Sequence, residues 1–188
     1  MDIKKISALF ILVFLVHISS AQPVLVPGQF SLNGNWEIIF DAKNEGVEGA
    51  WVLNKNFNQH PLKRQITVPS CWEEIEKDYE GVAFYRKKFD IPASWKDKIV
   101  ELKFDASNYL TQVWVNDQVV GFHEGGFTPF SFRIDKLVKP GEENVLTVRV
   151  VGSIILSNQR IDGLGKQEVP SWRGAITGGI WQSVSILA

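Results

Sequence analysis

Residues 160–173 read Arg-Ile-Asp-Gly-Leu-Gly-Lys-Gln-Glu-Val-Pro-Ser-Trp-Arg and hold the densest supply of groups able to meet a ligand. Asp162 and Glu168 offer carboxylates, Lys166 and Arg173 cations, Gln167 an amide and Trp172 a broad apolar face. Gly163 and Gly165 give the backbone freedom to aim them. Such a set can hydrogen-bond a polar ligand while the indole takes its apolar face. Set against this is a plain solvated loop with an internal Arg–Glu pair, which is worth little at a surface.

Other reactive side chains are sparse. Cys71 is the only cysteine, so no intrachain disulfide forms. It stands in Pro69-Ser70-Cys71-Trp72, with no histidine or second thiol nearby in sequence, and reads as a small buried residue rather than a nucleophile. Of three histidines, His17 lies in an N-terminal apolar stretch, leaving His60 and His123, too few for a transition-metal site. Glu124-Gly125-Gly126-Phe127-Thr128-Pro129-Phe130 reads as a structural turn, with Pro129 fixing a strand entry and Phe127 and Phe130 pinning the loop to the core. Of the seven tryptophans, Trp36, Trp114 and Trp181 fall in strands and read as core or half-buried, while Trp95 reads as a cap on one end. Trp51, Trp72 and Trp172 fall in loops and are the ones open to a ligand.

The elements that must position these groups are strands. Candidates are 34–40, 65–68, 82–90, 99–104, 110–115, 118–122, 130–134, 145–151 and 180–187. Period-2 alternation sets Leu102 and Phe104 against Glu101 and Lys103. In the same way Leu146, Val148 and Val150 oppose Thr147 and Arg149, and Val184 and Ile186 oppose Ser183 and Ser185. Asn116-Asp117 marks the clearest hairpin, because both residues tolerate positive φ. Helical turns are expected only at 71–76, 93–96 and 135–137. Short strands spaced 8–12 residues apart with almost no helix between them imply an all-β, antiparallel jelly-roll sandwich. The long irregular stretches are 42–64 and 157–177, and function tends to sit in such loops.

Composition narrows the function classes. Lys4 and Lys5, the apolar run 6–18 and Ser19-Ser20-Ala21 form a secretory signal, with cleavage expected before Gln22. Cleavage removes 21 of the 188 residues, two of them basic and one acidic, so the net charge moves from −1 to −2. No basic excess remains to hold nucleic acid, and no apolar run beyond the leader reaches the ~18–20 residues of a membrane span. The expected organisation is a signal peptide at 1–21, a short linker at 22–29 and one sandwich domain at 30–188, exported to the periplasm or beyond the cell. A (β/α)₈ barrel needs ~200 residues or more, so none fits beside another domain.

Eight fragments then fall in one order: Asn35-Trp36, Val68-Pro69-Ser70-Cys71-Trp72, Phe84-Tyr85-Arg86, Phe104-Asp105-Ala106, Val113-Trp114-Val115-Asn116, 121–130, 140–144 and Gly178-Gly179-Ile180-Trp181. From about Phe30 to Leu187 the chain resembles the N-terminal sugar-binding jelly-roll domain of family 2 glycoside hydrolases, a galactose-binding-domain-like sandwich found in β-galactosidases, β-glucuronidases and β-mannosidases. The resemblance implies a carbohydrate ligand, either a β-glycoside or a glycan. It also implies a partner region of an immunoglobulin-like sandwich plus a TIM barrel, joined in the same chain or separate, that carries both catalytic carboxylates.

Retaining hydrolysis needs two carboxyls about 5–5.5 Å apart, and inverting hydrolysis roughly 6.5–9.5 Å. Glu73, Glu74, Glu76, Glu124, Asp162 and Glu168 carry no recognisable context of that kind, and Glu73, Glu74 and Glu76 read as solvated. No catalytic residue, metal ligand or cofactor is therefore expected in this segment. In the resembled enzymes the loop before the last strand reaches toward the barrel and gives the sugar a polar contact, often an acid. That places Asp162 or Glu168, with Lys166, Trp172 and Arg173, at the sugar, and the turn 79–82 adds Glu80. Two other readings stay open: a stand-alone carbohydrate-binding module acting through Trp172, and a structural domain packing by its 178–187 side on a separate catalytic chain.

Overall fold

The computed structural model describes residues 28–153 and 177–188. These form ten strands: β1 (Gln29–Ser31), β2 (Gly34–Phe40), β3 (Arg64–Val68), β4 (Val82–Asp90), β5 (Glu101–Phe104), β6 (Leu110–Val115), β7 (Gln118–Glu124), β8 (Phe130–Arg133), β9 (Glu143–Val151) and β10 (Val184–Leu187). One short helix, α1 (Asn54–Asn58), and 3-10 turns at Trp72–Glu74 and Ala93–Trp95 complete them. Every strand pair is antiparallel, in sheets ordered β1-β10-β5-β8 and β3-β2-β4-β9-β6-β7. The sandwich read from strand spacing is therefore the fold.

β4 and β9 form the spine, paired from Val82↔Val151 to Asp90↔Glu143. Their inward residues, Ala83 and Tyr85 with Leu146, Val148 and Val150, meet Leu102, Phe104, Val184 and Ile186 of the other sheet. All nine are fully buried. Each large apolar side chain sealed in this way contributes about 1.5–3 kcal/mol, which is how a disulfide-free domain of this size holds together. Trp95 caps the core at one end, 5% exposed, as its place after Pro92 suggested.

The opposite face of the six-stranded sheet is also covered, which alternation alone did not reveal. Residues 42–63 fold across it, and Phe57 of α1 drops onto Ile39, Val82, Phe84, Leu110 and Val151 to make a second core. Asp41, 2% exposed, starts this cover by accepting the backbone N–H groups of Glu45 and Gly46, both at 2.8 Å.

The 113–120 hairpin forms where it was read. Asn116 and Asp117 take φ of 50° and 65°, the twin positive values that match strand twist in a two-residue turn. Asn116 Nδ2 donates to Leu137 O and to Asn144 Oδ1, each 2.8 Å away, and its Oδ1 accepts from Val145 N at 3.0 Å. Asn116→Ala strains the turn and strips three bonds. It is expected to lower stability by about 2 kcal/mol, read from the urea midpoint, with Asn116→Gly losing roughly half as much.

Candidate functional site

One end of the sandwich gathers the loops that entered the sequence reading, and tryptophan organises it. Trp72 is 1% exposed, so it is a core residue and not the ligand-facing indole that its loop position suggested. Its Nε1 donates to Tyr79 O at 3.0 Å, and its ring meets Tyr79 and Phe40 edge-on at centroid distances of 5.4 and 6.5 Å. Trp51 belongs to the cover and is half-buried against the second core, tilted against His60 at 4.3 Å and edge-on to Phe84 at 5.6 Å.

Two glycines approach the Trp72 indole because nothing larger fits. A Cβ on Gly152 would sit 3.3 Å from Cζ2 of Trp72 and 3.0 Å from Gly81 O, and one on Gly178 would overlap the ring outright. Gly178 O accepts from Trp72 N at 3.1 Å, and Ile180 O accepts from Ser70 N at 3.2 Å. From the other side, Asn108 and Gly179 exchange both backbone bonds, at 2.9 and 3.0 Å, and Asn108 Nδ2 donates to Thr177 O. The 178–180 segment is thus stitched between 70–73 and 108.

Glu73 departs from its expected solvated role. Its Oε1 accepts the Gly178 N–H at 2.8 Å, while Oε2 is buried with no hydrogen-bond partner among the described residues. Burial pushes its carboxyl above the ordinary glutamate range, backbone bonds oppose this, and Glu80 adds to the rise. Glu74 is exposed and Glu76 pairs with Arg64, so the solvated reading holds for those two. Cys71 is half-buried, and burial followed by the Glu73 charge raises its thiol. Both effects favour the neutral thiol over the nucleophilic thiolate.

The glycine loop is structural, with one correction. Gly125 takes φ 139°, and Trp181 Nε1 fixes the loop by donating to Gly126 O at 2.8 Å. Phe130 stacks on Phe104 at 4.9 Å, as a core pin should. Phe127 is 71% exposed and leans edge-on against Trp181 at 5.7 Å instead of entering the core. His123 belongs to β7 and stacks on Phe130 at 4.1 Å. Burial lowers its pKa against the opposing charge of Glu124.

Of the sugar contacts expected from sequence, Glu80 is exposed in the turn leading into β4, at this same end and near Glu73. Asp162, Lys166, Glu168, Trp172 and Arg173 lie outside the described residues. Both described stems of that stretch, Gly152 and Gly178, abut the Trp72 ring. Gly178, Gly179 and Ile180 are buried, and β10 runs between β1 and β5 with Val184, Ser185 and Ile186 inside. Among the described residues no three His, Cys, Asp or Glu side chains gather as a metal set. Glu73, Asn108 and the Trp72 platform are what sequence reading missed at this end. The only prior signal was the glycine pair 178–179, six residues after Trp172.

The family described as "Glycosyl hydrolases family 2, sugar binding domain" matches residues 29–188. A β-galactosidase of Thermoanaerobacter pseudethanolicus is 35% identical over 120 residues, covering 63% of this chain and 14% of its own length. A β-glucuronidase of Bacteroides fragilis is 29% identical over 147 residues, covering 75% of this chain and 18% of its own. The structure of a β-glucuronidase from Ruminococcus gnavus in complex with D-glucuronic acid superposes with a TM-score of 0.72 at 26% identity, over 89% of this chain and 30% of that one. The chain therefore spans under a third of each relative. It belongs to the family 2 glycosyl hydrolases, as their sugar-binding domain.

Proposed function

We propose that this domain serves an exported family 2 β-glycosidase by presenting its loop end to the sugar, with bond cleavage left to a barrel region. The observation that carries this reading is the convergence of the 152 and 178 stems, Glu80 and the Asn108 clamp on one end of a domain matched over 29–188. Residues 160–173 lie in sequence between those stems, and their carboxylates, cations and Trp172 suit a polyhydroxylated ring. The favoured sugars are β-glucuronides and β-galactosides, after the names of the relatives. The leader at 1–21 directs the chain to the periplasm or outside the cell.

Two assays test this. With p-nitrophenyl β-glucuronide, β-galactoside and β-mannoside, the purified chain is expected to release nitrophenol no faster than buffer. Saturation-transfer NMR is expected to show contact with glucuronate or galactose that Trp172→Ala removes. Turnover above the blank would overturn the division of labour, and silence with every sugar would overturn the binding role.

A further inference from the structure

The two stems at the loop end are held by side chains that the sugar-binding reading does not use. Gly152 and Gly178 sit on one indole, that of Trp72. Gly152 is tied down by its N–H to Gly81 O at 2.8 Å. Gly178 is tied down twice, by its carbonyl to Trp72 N at 3.1 Å and by its N–H to Glu73 Oε1 at 2.8 Å. The neighbouring Thr177 carbonyl is taken by the Asn108 side chain. Of these groups only Glu73 carries charge, and it does so with one oxygen buried and unpartnered among the described residues.

Half-sealing a carboxyl group in this way costs free energy when it is ionised. Its neighbours do not neutralise it. The thiol of Cys71 and the hydroxyl of Tyr85 carry no positive charge, while Glu74 and Glu80 add negative charge. What Glu73 does supply is the acceptor for the one amide of the 178 stem that points toward it.

We propose that Glu73 is a positioning residue whose carboxyl oxygen fixes Gly178, acting with Trp72 and Asn108 to hold the described residues that flank the stretch 154–176. The consequence for ligands rests on the sugar-contacting role proposed above for that stretch. The bond itself does not, and its test needs no sugar.

The pH behaviour follows from the environment. A carboxyl whose folded-state pKa lies above its unfolded value favours its neutral form in the fold. Its contribution to stability is therefore full at acid pH and declines as pH rises through the folded pKa. Glu73→Gln, which stays neutral and keeps an acceptor, is then no less stable than wild type at pH 7.

The experiment is amide NMR on the whole chain. The Gly178 N–H resonance of the wild type is expected to titrate with a midpoint above the ordinary glutamate value, and to be flat from pH 3 to 8 in Glu73→Gln. Hydrogen exchange at Gly178 should quicken roughly tenfold in Glu73→Ala, the loss of about one net hydrogen bond, and stay near wild type in Glu73→Gln. Asn108→Ala, which frees the Thr177 carbonyl, should speed proteolysis within 154–176. A Gly178 resonance insensitive to pH in the wild type would overturn the proposal, as would unchanged exchange in Glu73→Ala. Because the wild-type titration needs no variant, a poorly folding mutant leaves the proposal open to refutation. Loss of sugar contact with these readouts intact would strike only the binding role.

Discussion

Gly178→Ala is expected to lower stability by about 3 kcal/mol, a fall in Tm of roughly 10 °C for a domain of this size. The residue's backbone needs no unusual angle, so the effect is one of space alone. An added methyl would overlap Cε2 and Cζ2 of Trp72. The indole cannot withdraw easily. Its Nε1 is bonded to Tyr79 O, it meets Tyr79 and Phe40 edge-on, and Gly152 lies so close that a Cβ there would stand 3.3 Å from Cζ2. The segment cannot lift either without breaking the bonds from Trp72 N and to Glu73 Oε1. Overpacking against a fixed ring stands at the upper end of the usual penalty. A second substitution makes the argument specific: Trp72→Phe, itself destabilising, should recover part of the loss in the Gly178→Ala background, because the smaller ring vacates the contested volume. A double-mutant cycle by thermal denaturation reads the coupling. Additive losses would mean that the two residues do not share the space.

Trp72 also shows where sequence stops informing. Alternation, turn residues and spacing carried the two-sheet sandwich, because each depends on neighbours within a few residues. β1 escaped, since three residues paired only with β10 at a sheet edge leave no periodic trace. So did α1, whose Asn-Lys-Asn-Phe-Asn has poor helix formers and no side-chain cap, and which exists because Phe57 is wanted in the second core. Glu73 read as a solvated acid and Trp72 as a loop residue because 178, which packs against both, is about a hundred positions on. Arg149 and Thr147 were placed correctly on the face opposite Leu146 and Val148. Whether that face is wet depends on 42–63 folding across it, which no local pattern states. The fold was legible where it is local, and the loop end was not, because it is assembled from four distant segments meeting on one ring.

That hidden face makes the last expectation the most demanding one. Arg86 is 1% exposed, and burial pushes its pKa down to about 10, so at neutral pH it remains a cation inside the protein. Among the described residues it makes no ion pair at contact distance, although Asp117 and Glu37 favour its charge from further away. Its guanidinium is satisfied by neutral acceptors: Thr147 Oγ1 at 2.9 and 3.2 Å, Asn54 Oδ1 at 2.9 Å and Val52 O at 2.7 Å, with the Phe57 ring 4.3 Å from Cζ. Thr147 belongs to the sheet, and the other three belong to the cover. Arg86 is thus the bolt between cover and sheet, and its planar fork is what lets one side chain reach both. Arg86→Ala opens a cavity and strands the Thr147 hydroxyl, and the loss is offset in part because no charge need then be buried. The net expectation is about 3 kcal/mol lost in urea denaturation. Arg86→Lys should lose nearly as much, since a single ammonium cannot span the same acceptors, and Arg86→Met less than either, because it fills the volume without carrying a charge. Protease cutting within 42–63 should rise in that same order. If the lysine variant matched wild type, charge rather than the fork would be holding the cover.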